Sequence, residues 1–197
     1  MGHSNHSALK FATLLRDHEI TAVADVRSKP FSRYCPHFNL RPLKDGLKRN
    51  QIVYTFLGKE LGARSADQSC YNQEGRVLYS RLAESADFQR GLERIDDGIR
   101  EGYRIALMCS EREPLECHRT VLISQELIRR GYHVRHIHAD SSVESHEQAM
   151  KRLMRLLKLD SDLFKSEVEC LGEACLLQEQ KIAYKKKPQI EELVVSG

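Results

Sequence analysis

Residues Met108 to Arg119, M-C-S-E-R-E-P-L-E-C-H-R, gather a thiol, a carboxylate, a second thiol, an imidazole and a guanidinium in one short stretch. Two thiols beside an imidazole can make a nucleophile with its base, a redox pair, or part of a metal site. Which of these chemistries is open depends on the elements that hold them. Cys109 ends an apolar run, Arg104 to Cys109, that follows Gly102 and has the length and flanks of a buried parallel strand. After a loop containing Pro114, Cys117 to Arg130 reads as a helix, with apolar Val121, Leu122, Leu127 and Ile128 and a stop at Arg129, Arg130 and Gly131. Cys117, His118 and Arg119 then stand at its amino end, where free backbone N–H groups and the dipole favour anions and thiolates.

A second strand, Ile20 to Val26, runs into Arg27 and puts Asp25 and Arg27 at its carboxyl end. Ligands of open parallel sheets sit in the crevice at those ends. The expected pocket is therefore Asp25, Arg27, Cys109, Glu111, Cys117, His118 and Arg119. Cys109 is its expected nucleophile, activated by His118 and the helix end, with Glu111 and Asp25 as acid–base groups and Cys117 as a redox or resolving partner. Arg27, Arg33 and Arg119, three guanidiniums near one helix end, suit a phosphate or carboxylate. Each has a plainer alternative: Cys109 as a small apolar core residue, Glu111 as a surface carboxylate, Arg119 paired with Asp25, and Arg33 on a solvated loop. His6, His133, His136, His138 and His146 are expected as exposed histidines, and Lys185 to Lys187 as a solvated basic run that can touch a nucleic-acid backbone.

The spacing predicts a helix over Ser7 to His18, then strand Ile20 to Val26, helix Arg41 to Lys48 and strand Ile52 to Leu57. Two helices follow between Arg76 and Glu101, then strand Arg104 to Cys109, helix Cys117 to Arg130 and strand His133 to Ile137. This alternation is that of a three-layer, Rossmann-like α/β domain with a parallel sheet. It spans residues 1–144. From Ser145 the pattern turns helical, through Leu153, Leu156 and Leu157, then Leu163 and Phe164, then Cys170 and Cys175, so residues 145–197 are expected as a helical extension packed on the domain. Gly62 to Gly75 is a long polar loop, expected as a flap near the pocket.

With 41% apolar and 30% charged residues the chain has a globular composition, and no run approaches the roughly 18 apolar residues of a membrane span. No signal-peptide pattern opens it, and six irregularly spaced cysteines do not make a disulfide scaffold, so a reducing, cytoplasmic location is expected. A net charge of +3 argues against nucleic-acid binding by charge alone.

Several segments carry a resemblance: G-H-S-N at Gly2 to Asn5, D-V-R-S at Asp25 to Ser28, P-H-F-N at Pro36 to Asn39, L-G-K-E-L-G-A at Leu57 to Ala63, C-S-E-R-E-P-L-E-C-H-R at Cys109 to Arg119, and K-I-A-Y at Lys181 to Tyr184. Together they resemble the bacterial and archaeal family named domain of unknown function 488. The resemblance implies a single α/β domain with its marked residues at one end of a parallel sheet, and it brings no settled activity. It also implies a short apolar strand just before Gly2, of which Met1 would be the last position. A sheet lacking that strand exposes its neighbours' edges, so the expectation is a misplaced start or a truncated chain. With the strand in place, His3 and Ser4 would join the pocket beside Asp25. Cys35 departs from the family pattern and is given no role.

Three function classes remain open. The first is an enzyme acting on a small phosphorylated or nucleotide-related substrate. Leu115 stands six residues after Cys109, where cysteine phosphatases have arginine, and although D-V-R is reminiscent of rhodanese-like domains, the active-site loop differs. The second is an iron or zinc site of Cys109, Cys117 and His118, ranked lower because adjacent Cys and His need a bend to face one ion, so no metal ligand is assigned. The third is a non-catalytic ligand-binding or nucleic-acid-associated module. Composition and spacing specify neither a cofactor nor an oligomeric state.

Overall fold

Val23 and Ala24 are adjacent yet belong to different hydrophobic clusters, because successive side chains of a strand point to opposite faces. The computed structural model describes residues 1–3, 5–160 and 165–186 of the chain. Its first elements are α1 (Ala8–Asp17), β1 (Ala22–Asp25), α2 (Leu40–Arg49), β2 (Val53–Phe56), α3 (Tyr79–Glu84), α4 (Ala86–Arg100) and β3 (Ile105–Met108). The Ser7 hydroxyl caps α1 by accepting from Lys10 N, and Phe11, Leu14 and Leu15 form its buried stripe. β1 lies between β2 and β3 and is parallel to both, with Asp25 opposite Phe56 and Met108.

All of β1 is buried, as a central parallel strand covered on both faces must be. On one face α1 and α2 bring Phe11, Leu14, Leu43 and Leu47 onto Val23, Ala106 and Met108. On the other, α3 and α4 bring Leu82, Phe88, Leu92 and Ile95 onto Ala24, Leu107 and Cys109, together with Cys117, Val121 and Leu122. This is the expected three-layer α/β arrangement. The alternation also decides that the Cys109 side chain faces Cys117 rather than α1.

The helix after Cys117 forms with an unexpected winding. Arg119–Ser124 are π-helical and pass into α5 (Gln125–Arg129), with the Ser124 hydroxyl donating to Arg119 O at 2.7 Å. β4 (Arg135–Ile137) departs from expectation. It pairs antiparallel with β5 (Val143–Ser145) instead of joining the parallel sheet. At the free edge of β3, Met1 N donates to Leu107 O, Cys109 N to Met1 O and His3 N to Cys109 O, so the first residues run alongside the strand with Gly2 opposite Cys109. Beside them a cavity of about 340 Å³, lined by Met1, Ile105, Leu107, Leu127, Val134 and His136, separates β3 from β4.

Beyond β5 come α6 (His146–Leu156) and α7 (Glu167–Ile182), each opened by a serine capping box. Met150, Leu153, Met154, Cys170 and Ala174 enclose Leu115, so these helices pack directly behind the loop that leads to Cys117. Leu163 and Phe164 lie outside the described residues. No helix among the described residues is long and apolar enough to cross a membrane.

His136 and His146, expected at the surface, are buried at 3% and 5% exposure, with His136 Nε2 3.2 Å from His146 Nδ1. Burial, helped by the nearby amino terminus, pushes His136 down to about 2, and burial alone pushes His146 down to about 4. Both rings are neutral in the fold and titrate near 6.5 when unfolded, so their stabilisation is complete above pH 6.5 and is lost as pH falls below it. Thermal melts should therefore show stability falling by on the order of 2 kcal/mol between pH 6.5 and 5. The slope should be clearly shallower in His146→Ala; equal slopes in the two proteins would rule the pair out as its source.

Candidate active site

The carboxyl end of β1 is organised by one ion pair. Asp25 Oδ1 accepts from Arg27 N at 3.1 Å and Nε at 2.9 Å, and Oδ2 accepts from Arg27 Nη2 at 2.6 Å and from the Tyr54 hydroxyl at 2.8 Å. Arg27 donates further to Phe38 O at 2.8 Å and to His3 Nε2 at 3.2 Å, and the His3 ring stacks on Phe38. Asp25 and Arg27 are 0% and 4% exposed. Burial, and then the neighbouring Asp25 charge, pushes the Tyr54 phenol far above its ordinary range. Gly58 is required here, because a Cβ at that position would lie 1.9 Å from Arg27 O.

The second half of the site hangs on the turn Pro114–Glu116. The Glu113 carboxylate caps it by accepting from Leu115 N at 3.2 Å. Cys117 is extended (φ −137°, ψ 136°) and His118 is helical (φ −56°, ψ −27°), so the chain bends between them and both side chains turn to one place. Cys117 Sγ is 3.7 Å and Cys109 Sγ 4.0 Å from His118 Nδ1, and Glu111 Oε2 is 3.3 Å from Cys117 Sγ. One donor atom each from Cys109, Cys117 and His118 fits within 4.8 Å of the others, a spacing that can hold a metal ion. These three side chains are buried at the floor of an open pocket of about 230 Å³, walled by Tyr79 and Tyr184 and carrying the cations Arg27, Lys29 and Arg64.

Burial pushes the Cys117 thiol up, but the hydrogen bond from Cys109 and the charges of Arg119 and His118 outweigh it and hold Cys117 well below the ordinary thiol range. Cys109 moves the other way, raised by its hydrogen bond to Cys117 and then by burial. His118 is raised because the negative charge at Cys117 overcomes the effect of burial. Glu111 is raised by burial and by that same charge. The low thiol is therefore Cys117, whereas the expected nucleophile was Cys109.

Of the expected residues, Arg27, Cys109, Glu111, Cys117 and His118 do meet in this pocket. Asp25 lies beneath it with its carboxylate fully engaged by Arg27 and Tyr54, which suits positioning rather than proton transfer. Arg119 does not pair with Asp25. It donates to Met1 O at 2.6 Å and to Glu111 O at 3.1 Å, and so fastens the Glu111 segment to the amino terminus. Arg33 is exposed and does not line the pocket. His3 does not line the pocket and contacts Arg27, and Ser4 lies outside the described residues. Sequence reasoning passed over Lys29, Arg64, Tyr79 and Tyr184. The available signals were Lys29's place two residues after Arg27, Arg64's place on the expected flap, and Tyr184's place in K-I-A-Y.

A family model described as "Domain of unknown function DUF488" matches residues 7–125, which include every member of the cysteine–histidine cluster. The chain belongs to this family. No curated protein and no solved structure matches it.

Removing Asp25 leaves a buried guanidinium without its counter-ion. In urea unfolding, Asp25→Ala should lose about 3–5 kcal/mol, and Tyr54→Phe, which deletes a single hydroxyl bond, about 1 kcal/mol. An Asp25→Ala loss no larger than that of an ordinary surface substitution would show that the pair does not organise this end of the sheet.

Proposed function

We propose that this protein is an enzyme for a small anionic substrate, phosphorylated or nucleotide-related, with the Cys109–Cys117–His118 cluster as its reacting centre. The observation that carries the reading is the meeting of those three side chains at the floor of a pocket whose walls present Arg27, Lys29 and Arg64. Arg27 is pre-oriented by Asp25 and has one Nη1 N–H beyond its bonds to Asp25, Phe38 O and His3, so it can meet an incoming oxyanion with that donor without first losing side-chain freedom. Lys29 and Arg64 are exposed and give long-range attraction to an anion. Arg64 also lies over the Tyr184 ring, 4.5 Å from its centroid, which offers a planar ring a flat neighbour. Glu111, against Cys117, is the group placed to exchange a proton with a reacting atom.

The size of the pocket supports a small substrate. About 230 Å³ is below the range of about 300–1,000 Å³ usual for drug-sized ligands. The nucleic-acid reading is weaker, because Lys186 sits 3.6 Å from the centre of the Tyr71 ring and Lys185 pairs with Glu74 at 3.6 Å. Those two cations are turned onto the protein itself.

The test is a binding panel of inorganic phosphate, sugar phosphates and nucleoside mono- and diphosphates, read by thermal shift and by protection of the cluster thiols from iodoacetamide. At least one phosphorylated compound should both raise the melting temperature and slow labelling. Its affinity should fall about threefold in Lys29→Ala and in Arg64→Ala, the loss expected for an exposed charge interaction of about 0.7 kcal/mol. Both sites are exposed, so these variants should stay folded. A panel without binders, or affinities unchanged in both variants, would overturn the substrate class.

A further inference from the structure

We propose that the floor of this pocket is a mononuclear site for a divalent cation of the zinc class, held by Cys109 Sγ, Cys117 Sγ and His118 Nδ1, with the Glu111 carboxylate as a fourth, displaceable ligand. The spacing argues first. A tetrahedral centre with metal–sulfur bonds of about 2.3 Å and metal–nitrogen or metal–oxygen bonds of about 2.0–2.2 Å holds its donors roughly 3.4–3.8 Å apart. The cluster has Cys117 Sγ to His118 Nδ1 at 3.7 Å, Cys109 Sγ to His118 Nδ1 at 4.0 Å and Glu111 Oε2 to Cys117 Sγ at 3.3 Å. The three donors that lie within 4.8 Å of one another close around an ion with shifts of up to about 1 Å, and the Glu111 carboxylate moves further to complete the shell.

The donor types argue second. Thiolates and imidazole select zinc or iron(II) and disfavour magnesium and calcium, which want oxygen. The backbone argues third. Adjacent Cys and His ordinarily diverge, and here the change from extended Cys117 to helical His118 turns both inward. That conformation is held from behind by Gln178 Nε2, which donates to Leu115 O at 2.8 Å, and by the packing of Leu115 among Ala149, Met150 and Leu153.

The three protein ligands sit on buried backbone, whereas Glu111 projects from an exposed segment. Three fixed ligands and one replaceable one are the arrangement of a catalytic rather than a closed structural centre. The open position faces the pocket, where an anionic substrate oxygen can replace Glu111 and be polarised by the cation. The proposal rests on the reading of this pocket as the reacting centre, and it makes the two cysteines ligands instead of nucleophiles.

The experiment uses the full chain, prepared under reducing conditions without chelator. Elemental analysis should find about one equivalent of zinc or iron per chain. Cobalt(II) added to the metal-free protein should give the intense visible bands of a tetrahedral ion and the near-ultraviolet absorption of thiolate–cobalt charge transfer. Cys117→Ser and His118→Ala should each weaken cobalt and zinc binding at least about 100-fold, since even ligand-supporting residues commonly cost 10–100-fold. Glu111→Gln, a nearly isosteric change, should keep the metal and the charge-transfer band but alter the visible bands. Cobalt spectra without thiolate absorption, or metal affinity unchanged in folded Cys117→Ser and His118→Ala, would overturn the site. The two readings fail separately: phosphate-compound binding by a protein that takes up no metal removes the cation and keeps the pocket. One tightly held metal with no anion binding removes the substrate class and keeps the cation.

Discussion

A guanidinium taken out of water has to be surrounded by oxygen acceptors, because a buried charge left alone costs several kcal/mol. Arg27 and Arg119 are both buried at the carboxyl ends of these strands, and the surrounding chain is arranged as their acceptors. Arg27 collects Asp25 from β1, Phe38 O from the loop beyond it and His3 from the amino terminus. Arg119 collects Met1 O and Glu111 O through its two terminal nitrogens, while its buried Nε has no acceptor. Segments far apart in sequence are thus tied to one end of the sheet. The tie decides roles as well as positions, since an aspartate that already accepts from Arg27 and Tyr54 has no lone pair free for a substrate proton.

The helices beyond β5 serve that same end. The turn Pro114–Glu116 lies between the last residues of β3 and Cys117, and a loop of that length would otherwise sample several paths. Leu115 is enclosed by α6 and α7, its carbonyl accepts from Gln178, and Glu116 pairs with Lys181 at 2.6 Å. The buried contacts carry this restraint, because an exposed ion pair such as Lys181–Glu116 contributes little. On the opposite wall, Tyr79 N donates to Glu179 at 2.8 Å, so α7 also anchors the start of α3, where pocket-lining Tyr79 stands.

The strands and most helices were legible because their periodicities are strong: an all-buried A-V-A-D, and Phe11, Leu14 and Leu15 on one stripe of α1. The placement of Cys109 at a strand end followed directly from the apolar run before it. β4 was legible as a strand but its partner was not, because three residues between turns carry no signal about which free edge they will meet. The acceptors of Arg119 were not legible either, since they are backbone carbonyls, which every residue possesses. The bend between Cys117 and His118 belongs to the same class. It is a choice of φ and ψ enforced by the packing of Leu115, and residue type alone left the adjacency looking like an obstacle. His136 and His146 were misjudged because two polar rings can be buried on one shared hydrogen bond, here with His146 Nε2 left without a partner, and their pairing across ten residues has no local signature.

Depth separates the two kinds of group in the pocket. The soft donors and Arg27 are buried, while Lys29 and Arg64 sit at the exposed mouth. A lysine or arginine in water attracts an anion without fixing it, whereas Arg27, held on three sides, gives direction at the cost of freedom already lost in folding. On the proposed reading, an anionic substrate is drawn in by the mouth, turned by Arg27 and delivered to the floor with its reacting oxygen downward. The Glu111 carboxylate lies against the cluster, and its segment is pinned by Arg119 through a backbone carbonyl rather than through its carboxylate. Its position is therefore fixed while its carboxylate stays free to leave the floor, which is what an arriving oxyanion must displace.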